Sequence, residues 1–266
     1  PFGSRPGLDR VESLLEVVGH PERKVKTIHI AGTNGKGSTV TYLRCLLEEA
    51  GLTVGTFTSP YIESFNERIS INGQGIPDQD LIGLVNKYQP LVEQLDRFEA
   101  VSGITEFETL TAMAFDYFLN KEVDVAIIEV GLGGLLDSTN VAVPMLTGIT
   151  TIGLDHTDIL GETIEEIAAQ KAGIIKQGIP VVTGNIEKRA LEVIKKQAKL
   201  RNAPLFAYDD AYHVEYKHPA ESWGEQFTFS NDHGKMTRLT TSMIGQHQVE
   251  NAGMAIELYQ IYCLKE

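Results

Sequence analysis

The sequence predicts an α/β fold, a doubly wound, mostly parallel sheet with an antiparallel portion at its edge. Three observations carry that expectation. Short runs of β-branched residues alternate with longer stretches of helical periodicity between residues 25 and 208. A segment with three glycines in eight residues, Gly32-Thr33-Asn34-Gly35-Lys36-Gly37-Ser38-Thr39, separates a strand-like run from a helix-like one. Residues 123–130 are almost continuous Val, Ala and Ile, the composition of a strand buried on both faces.

In chain order, a short helix is expected over 9–18, then a strand over 25–31, the glycine-rich loop, a helix over 39–50 and a strand over 53–58. This is a βαβ unit, right-handed by default. Residues 68–73 alternate apolar and polar and stop at Asn72-Gly73, a strand ending in a tight turn. Helices follow over 78–97, opened by Pro77-Asp78, and over 106–120. The apolar strand 123–130 leads through Glu129 into Gly131-Leu132-Gly133-Gly134. A strand over 145–152, a helix over 162–176, a strand over 180–183, a helix over 187–201 and a strand over 205–208 continue the alternation. Between 212 and 241 the pattern turns to strand-like stretches around Gly224 and Asn231-Asp232-His233-Gly234, expected as antiparallel strands on the sheet edge. A helix over 246–264 closes the chain.

The 266 residues are expected to form one nucleotide-binding domain. No apolar run approaches the roughly 20 residues that span a bilayer, which argues against a membrane role. Net charge is −13, and no Lys/Arg block exceeds Lys195-Lys196, so a nucleic-acid partner finds no electrostatic footprint. The two cysteines, Cys45 and Cys263, have no metal or redox spacing, and no leader-like segment opens the chain; a cytoplasmic protein with free thiols is expected. Nothing in the pattern suggests a large apolar patch, so the expected state is a monomer.

Backbone N–H groups of a glycine-rich loop converge on an anion, and the following helix aims its positive end at the same point. Lys36 adds a flexible charge for the β- and γ-phosphates of a nucleotide. The common phosphate loop has a Mg²⁺-binding hydroxyl directly after its lysine. Here Gly37 stands there, so a metal ligand is expected from elsewhere. Ligands of open α/β sheets sit beyond the strand ends, and three of those ends offer Ser59, Glu129 and His156. Together they form a candidate hard-metal cluster completed by water and phosphate, with histidine the weak member for Mg²⁺. Each has a plainer alternative: Ser59 as a turn residue before Pro60, Glu129 as a neutraliser of Lys36, and His156 as a local cap.

The glycine-rich loop, Thr58-Ser59-Pro60, and Glu129-Val130-Gly131-Leu132-Gly133-Gly134 with Leu136-Asp137-Ser138-Thr139-Asn140 together resemble folylpolyglutamate synthases of the Mur ligase superfamily. Leu154-Asp155-His156-Thr157-Asp158-Ile159-Leu160-Gly161, Lys171-Ala172-Gly173-Ile174-Ile175 and Gly245-Gln246-His247-Gln248-Val249-Glu250-Asn251-Ala252 extend the resemblance in the same order. It implies a P-loop fold of the Mur ligase central-domain type. It also implies an ATP-dependent ligase that adds L-glutamate to the terminal carboxylate of a folate through an acyl phosphate, with dihydrofolate synthase activity on dihydropteroate as a further expectation.

By the same resemblance the ATP phosphates fall to Thr33, Asn34, Gly35, Lys36, Gly37 and Ser38, and adenine to Asn251. One or two Mg²⁺ ions fall to Ser59, Glu129, His156 and a carbamylated Lys171, with Lys36, Glu129, His156 and Lys171 as the catalytic set. Thr105, Glu106, Phe107, Glu108, Leu136, Asp137 and Ser138 match the segments that hold the pterin end, Phe107 by stacking and Asp137 by accepting hydrogen bonds, or else as core and cap residues.

Leu135 and Glu106 depart from the family pattern, which has Arg and an aromatic residue at those places, and put pterin-site details in question. The family's C-terminal glutamate-ligase domain is expected to be absent from these 266 residues, and the isolated chain to be inactive as a ligase. Two other readings stand beside this one: a Mur-type amino-acid ligase of cell-wall precursors, disfavoured by Gly37, and a nucleotide-binding module without catalysis.

Overall fold

The computed structural model describes residues 7–219 and 223–265. In chain order the elements are α1 (Asp9–Val17), β1 (Thr27–Ala31), α2 (Lys36–Glu49), β2 (Val54–Phe57), β3 (Ile69–Ile71), β4 (Gln74–Gly75), α3 (Asp78–Leu95), α4 (Glu106–Asn120) and β5 (Val125–Glu129). Then follow β6 (Leu146–Ile149), α5 (Thr157–Leu160), α6 (Ile164–Ala172), β7 (Val181–Thr183), α7 (Lys188–Leu200), β8 (Leu205–Ala207), β9 (Tyr212–Pro219), β10 (Glu225–Asn231), β11 (Gly234–Thr241) and α8 (Gln246–Lys265).

The large sheet has the order β4-β3-β2-β5-β1-β6-β7-β8. The strands from β2 through β8 in that order pair in parallel, whereas β3 pairs antiparallel with β2 and β4 with β3. The chain leaves β1 through α2 towards β2 on one side, and later strands extend the sheet on the other. The carboxyl end of β1 is therefore the switch point where such sheets bind ligands. Every residue of β1, β2, β5 and β6 is buried, as strands covered on both faces must be.

Alternation along β1 splits the core. Ile28 and Ile30 face α2 and α8 with Leu43, Leu47, Met254 and Leu258. Residues of the opposite face pack on α1, α3 and α4, through Leu14, Tyr88 and Phe118, and on α6 and α7, through Ile167 and Ile194. Helices thus cover both faces, the doubly wound arrangement the alternation predicts.

Two details differ from the sequence-based expectation. The helix expected over 162–176 is shorter, α6 at Ile164–Ala172 with a capping box between Thr163 and Glu166, and an unexpected short helix, α5, precedes it and ends at Gly161. The antiparallel stretch after residue 212 forms its own three-stranded sheet, β11-β10-β9, while β3 and β4 supply the antiparallel edge of the large sheet. Tyr212, Val214, Phe227 and Phe229 of the small sheet share the core of α2 and α8, so burial against α8 places it. Among the described residues no helix is long and apolar enough to cross a membrane.

Candidate active site

The glycine-rich loop leaves β1 and becomes helical at Lys36, earlier than periodicity suggests, so the open N–H groups of the first turn of α2 stand directly behind the loop. Gly32 and Gly35 have φ of 150° and 83°, in the region that favours glycine. Space demands glycine as well: a Cβ on Gly32 would lie 1.9 Å from Thr150 Oγ1, and one on Gly35 2.3 Å from Asn251 Oδ1. The end of β6 braces the loop from the side. Thr33 N donates to the Thr151 carbonyl at 2.8 Å, Asn34 N to Thr151 Oγ1 at 3.1 Å, and Thr150 Oγ1 to the Asn34 carbonyl at 2.6 Å. Asn251, on α8 and 7% exposed, bonds Gln248 through Nδ2 and closes the same corner.

Two ammonium groups meet at one carbonyl. Lys36 Nζ and Lys171 Nζ each donate to Gly32 O at 3.0 Å, although Lys36 opens α2 and Lys171 is near the end of α6. Lys171 is 2% exposed, and burial, followed by the charge of Lys36, lowers its pKa to about 8. Glu129 ends β5 with its Oε1 4.0 Å from Lys36 Nζ. Burial raises its pKa to about 7, against the pull of Lys36 and of the Ser59 backbone N–H that bonds its carboxylate. Ser59 is thus beside Glu129, as the strand-end argument expects.

His156 stands further out. It has left-handed backbone at the start of α5, its side chain is half exposed, and its Nε2 is 3.5 Å from Asp155 Oδ1. Among the described residues no hydrogen bond or ion pair joins His156 to Ser59, Glu129 or Lys171. Asp155 itself lies near enough to Lys171 to favour its charged form, a role that its place in the Leu154–Gly161 segment did not reveal in the sequence. Among the described residues no three His, Cys, Asp or Glu side chains gather into a ready metal site. A buried carboxylate held short of contact with its nearest cation, next to a serine and a lysine of depressed pKa, still fits a hard divalent ion whose remaining ligands are phosphate and water.

The second wall is formed by the start of α4 and the segment after β5. Thr105 caps α4 and forms a capping box with Glu108. Glu108, expected as a substrate contact, is 3% exposed and engaged inside the protein: Arg10 Nη2 is 2.8 Å from Oε1, and Arg10 Nε and Thr105 N donate to Oε2 at 3.1 and 2.7 Å. Asp137, also expected to meet substrate, accepts Leu132 N at Oδ2 and the N–H and hydroxyl of Thr139 at Oδ1. Phe107 packs on Phe57 with ring centroids 5.6 Å apart. Glu106, Leu135 and Leu136 are exposed, and Ser138 begins the 3₁₀ turn Ser138–Val141. Arg10, Thr150 and Thr151 escaped the sequence analysis. The only signal for the threonines was their position at a strand end.

The family model described as "Mur ligase middle domain" matches residues 85–259. The chain is 52% identical over 256 residues to the dihydrofolate synthase/folylpolyglutamate synthase of Bacillus subtilis (strain 168), covering 96% of this chain and 59% of that protein. It is 41% identical over 253 residues to the folylpolyglutamate synthase of Lacticaseibacillus casei, covering 95% of this chain and 59% of that protein. A solved FPGS-AMPPCP-folate complex superposes with a TM-score of 0.94 at 39% identity, covering 100% of this chain and 64% of that one. The chain thus spans about three fifths of the length of these relatives. Through the phosphate loop, the paired lysines and this match, the chain belongs to the Mur ligase family.

Proposed function

We propose that this chain binds ATP at residues 33–38 and forms the nucleotide half of a ligase site that joins L-glutamate to the terminal carboxylate of a folate. The observation that carries the proposal is the convergence of Lys36 and Lys171 on Gly32 O beside the buried Glu129. A module that only binds nucleotide has no use for a second buried lysine, because burying an ammonium costs several kcal/mol. Support for folate as the acceptor comes from the B. subtilis and L. casei relatives and from the complex with AMPPCP and folate.

In this reading the loop N–H groups and Lys36 hold the β- and γ-phosphates, and Lys36 neutralises charge growing on the phosphoryl group as it moves to the folate carboxylate. The amine of glutamate then attacks the acyl phosphate carbonyl and displaces phosphate. Mg²⁺ held by Ser59, Glu129, His156 and Lys171 supplies further neutralisation of the phosphates when bound. For Lys171 that role requires carbamylation: its neutral amine attacks CO₂, a C–N bond forms, one proton leaves, and a cation becomes a carboxylate ligand. The lowered pKa of Lys171 provides the neutral amine near pH 8. The B. subtilis relative, named as a dihydrofolate synthase as well, supports testing dihydropteroate as a second acceptor.

The test is product mass. The full natural chain is incubated with ATP, Mg²⁺, L-glutamate and either tetrahydrofolate or dihydropteroate. Addition of one glutamyl residue to at least one of them is expected, and no mass gain with either overturns the proposal.

A further inference from the structure

His29 lies in the middle of β1, fully buried, on the strand face opposite Ile28 and Ile30. Its Nε2 is 2.8 Å from Thr139 Oγ1, a residue 110 positions away. The Thr139 hydroxyl has one proton and donates it to Asp137 Oδ1. The oxygen of Thr139 must therefore accept from His29, which fixes the imidazole as the Nε2–H tautomer and leaves Nδ1 as a buried acceptor without a partner among the described residues. Burial, followed by the charge of Lys176, holds this ring neutral, with a pKa of about 3.

From Asp137 the chain of hydrogen bonds continues to Leu132 N at 2.8 Å and to the Gly131 N–H. Gly131 is wedged at the same point: a Cβ there would lie 2.5 Å from Phe107 Cζ and 3.2 Å from Asp137 Oδ2. A series of hydrogen bonds meeting at the Asp137 carboxylate thus runs from the centre of the sheet to Gly131 and Leu132, just beyond Glu129.

We propose that His29 is a positioning residue which, through Thr139 and Asp137, holds segment 131–138 in the shape that receives the ring system of the acceptor substrate. The proposal rests on the folate-ligase reading. A fully buried β-strand position packs well with Val or Ile. A histidine there leaves a buried nitrogen unpaired, a cost that packing alone does not explain. What the histidine adds is a donor for a hydroxyl whose own proton is committed to Asp137.

The experiment compares wild type with His29→Leu, His29→Gln and Thr139→Val. His29→Gln keeps a donor near the Nε2 position. His29→Leu and Thr139→Val are expected to raise KM for the folate substrate about tenfold, the value of one lost hydrogen bond, with kcat and KM for ATP within about threefold. His29→Gln is expected to stay within about threefold of wild type on all three. Equal rises in both KM values, or a His29→Gln variant that behaves as His29→Leu, overturns the proposal. Should His29→Leu fail to fold, Thr139→Val carries the same comparison.

Two readouts hold even if neither folate is turned over. Imidazole ¹⁵N shifts of wild type are expected to report a neutral Nε2–H ring, and an Nδ1–H ring overturns the relay. Hydrogen exchange at Leu132 N is expected to quicken in Thr139→Val while Val130 N, bonded to Ile30 O, is unchanged. Equal change at both amides overturns it as well. Failure of the function therefore shows as absent turnover, and failure of the relay as a wrong tautomer or a uniform exchange change.

Discussion

Around residues 32–38 the cations, Lys36 and Lys171, share one backbone carbonyl, and the side chains that brace the loop come from the end of β6 and from α8. Along 105–108 and 131–138 the arrangement is reversed. There the acidic side chains that resemble substrate contacts are engaged in holding the protein together, Glu108 with Arg10 and Asp137 with Thr139 and Leu132. A charged residue in a site wall can act on the ligand or on the wall itself, and its partners reveal which. Among the described residues Lys171 has only a carbonyl as hydrogen-bond partner and no carboxylate in direct contact. Glu108 meets a guanidinium, a backbone N–H and a hydroxyl, the full set a buried carboxylate requires.

The largest effect that separates the two walls is expected from Lys171→Ala. It leaves the fold in place but is expected to reduce glutamate-dependent phosphate release by about a hundredfold or more, the scale for losing a group that acts on transition-state charge. Added short carboxylates should restore part of the rate by replacing the carbamate. Retained turnover would assign Lys171 to the wall. Glu108→Ala is the counterpart. Removing one partner of a buried ion pair costs about 3–5 kcal/mol, so the urea midpoint should fall steeply while ATP affinity stays within about twofold. A loss of affinity at unchanged stability would instead make Glu108 a ligand group.

The phosphate loop was legible in the sequence because it is local: glycine spacing, lysine and helix start occupy eight consecutive residues. Glu129 and Ser59 were legible as strand ends, and Lys171 through family resemblance alone. Asp155, Arg10, Thr150 and His29 were not, since each acts on a residue its own sequence neighbourhood does not include, and only the strand order brings β1 beside β5 and β6. The stretch after residue 212 shows the same limit. A period of two says strand, but whether a strand joins the large sheet or covers α8 depends on what else buries its apolar face.

An intermediate effect is expected from Glu129 and pH. Its pKa rises from near 4.5 to about 7 on folding, so between those values the native state binds more protons than the unfolded one. Stability of the unliganded protein should therefore fall as pH rises through that window, by about 3 kcal/mol at most, and Glu129→Gln should flatten the dependence. The same carboxylate should lose its proton when Mg²⁺ and ATP bind at pH 6.5. Calorimetry in buffers of different ionisation enthalpy would show this release, and its absence would mean that Glu129 does not meet the cation.

The smallest effect is expected from Thr151→Val, because the loop is braced twice at one point. Both Thr150 Oγ1 and Thr151 Oγ1 donate to the Asn34 carbonyl, at 2.6 and 3.1 Å. Thr150 is 1% exposed, so its bond has no substitute, whereas the Thr151 bonds lie where water reaches. Valine at 151 keeps the β-branched shape and the backbone carbonyl that holds Thr33 N, and loses only two solvent-exchangeable contacts of about 0.5 kcal/mol each. ATP affinity should fall about two- to fivefold, and Thr150→Val should fall further. If Thr151→Val cost as much as Thr150→Val, the exposed hydroxyl would be touching the nucleotide rather than bracing the loop, and the division between braces and ligand groups would have to be redrawn at the end of β6.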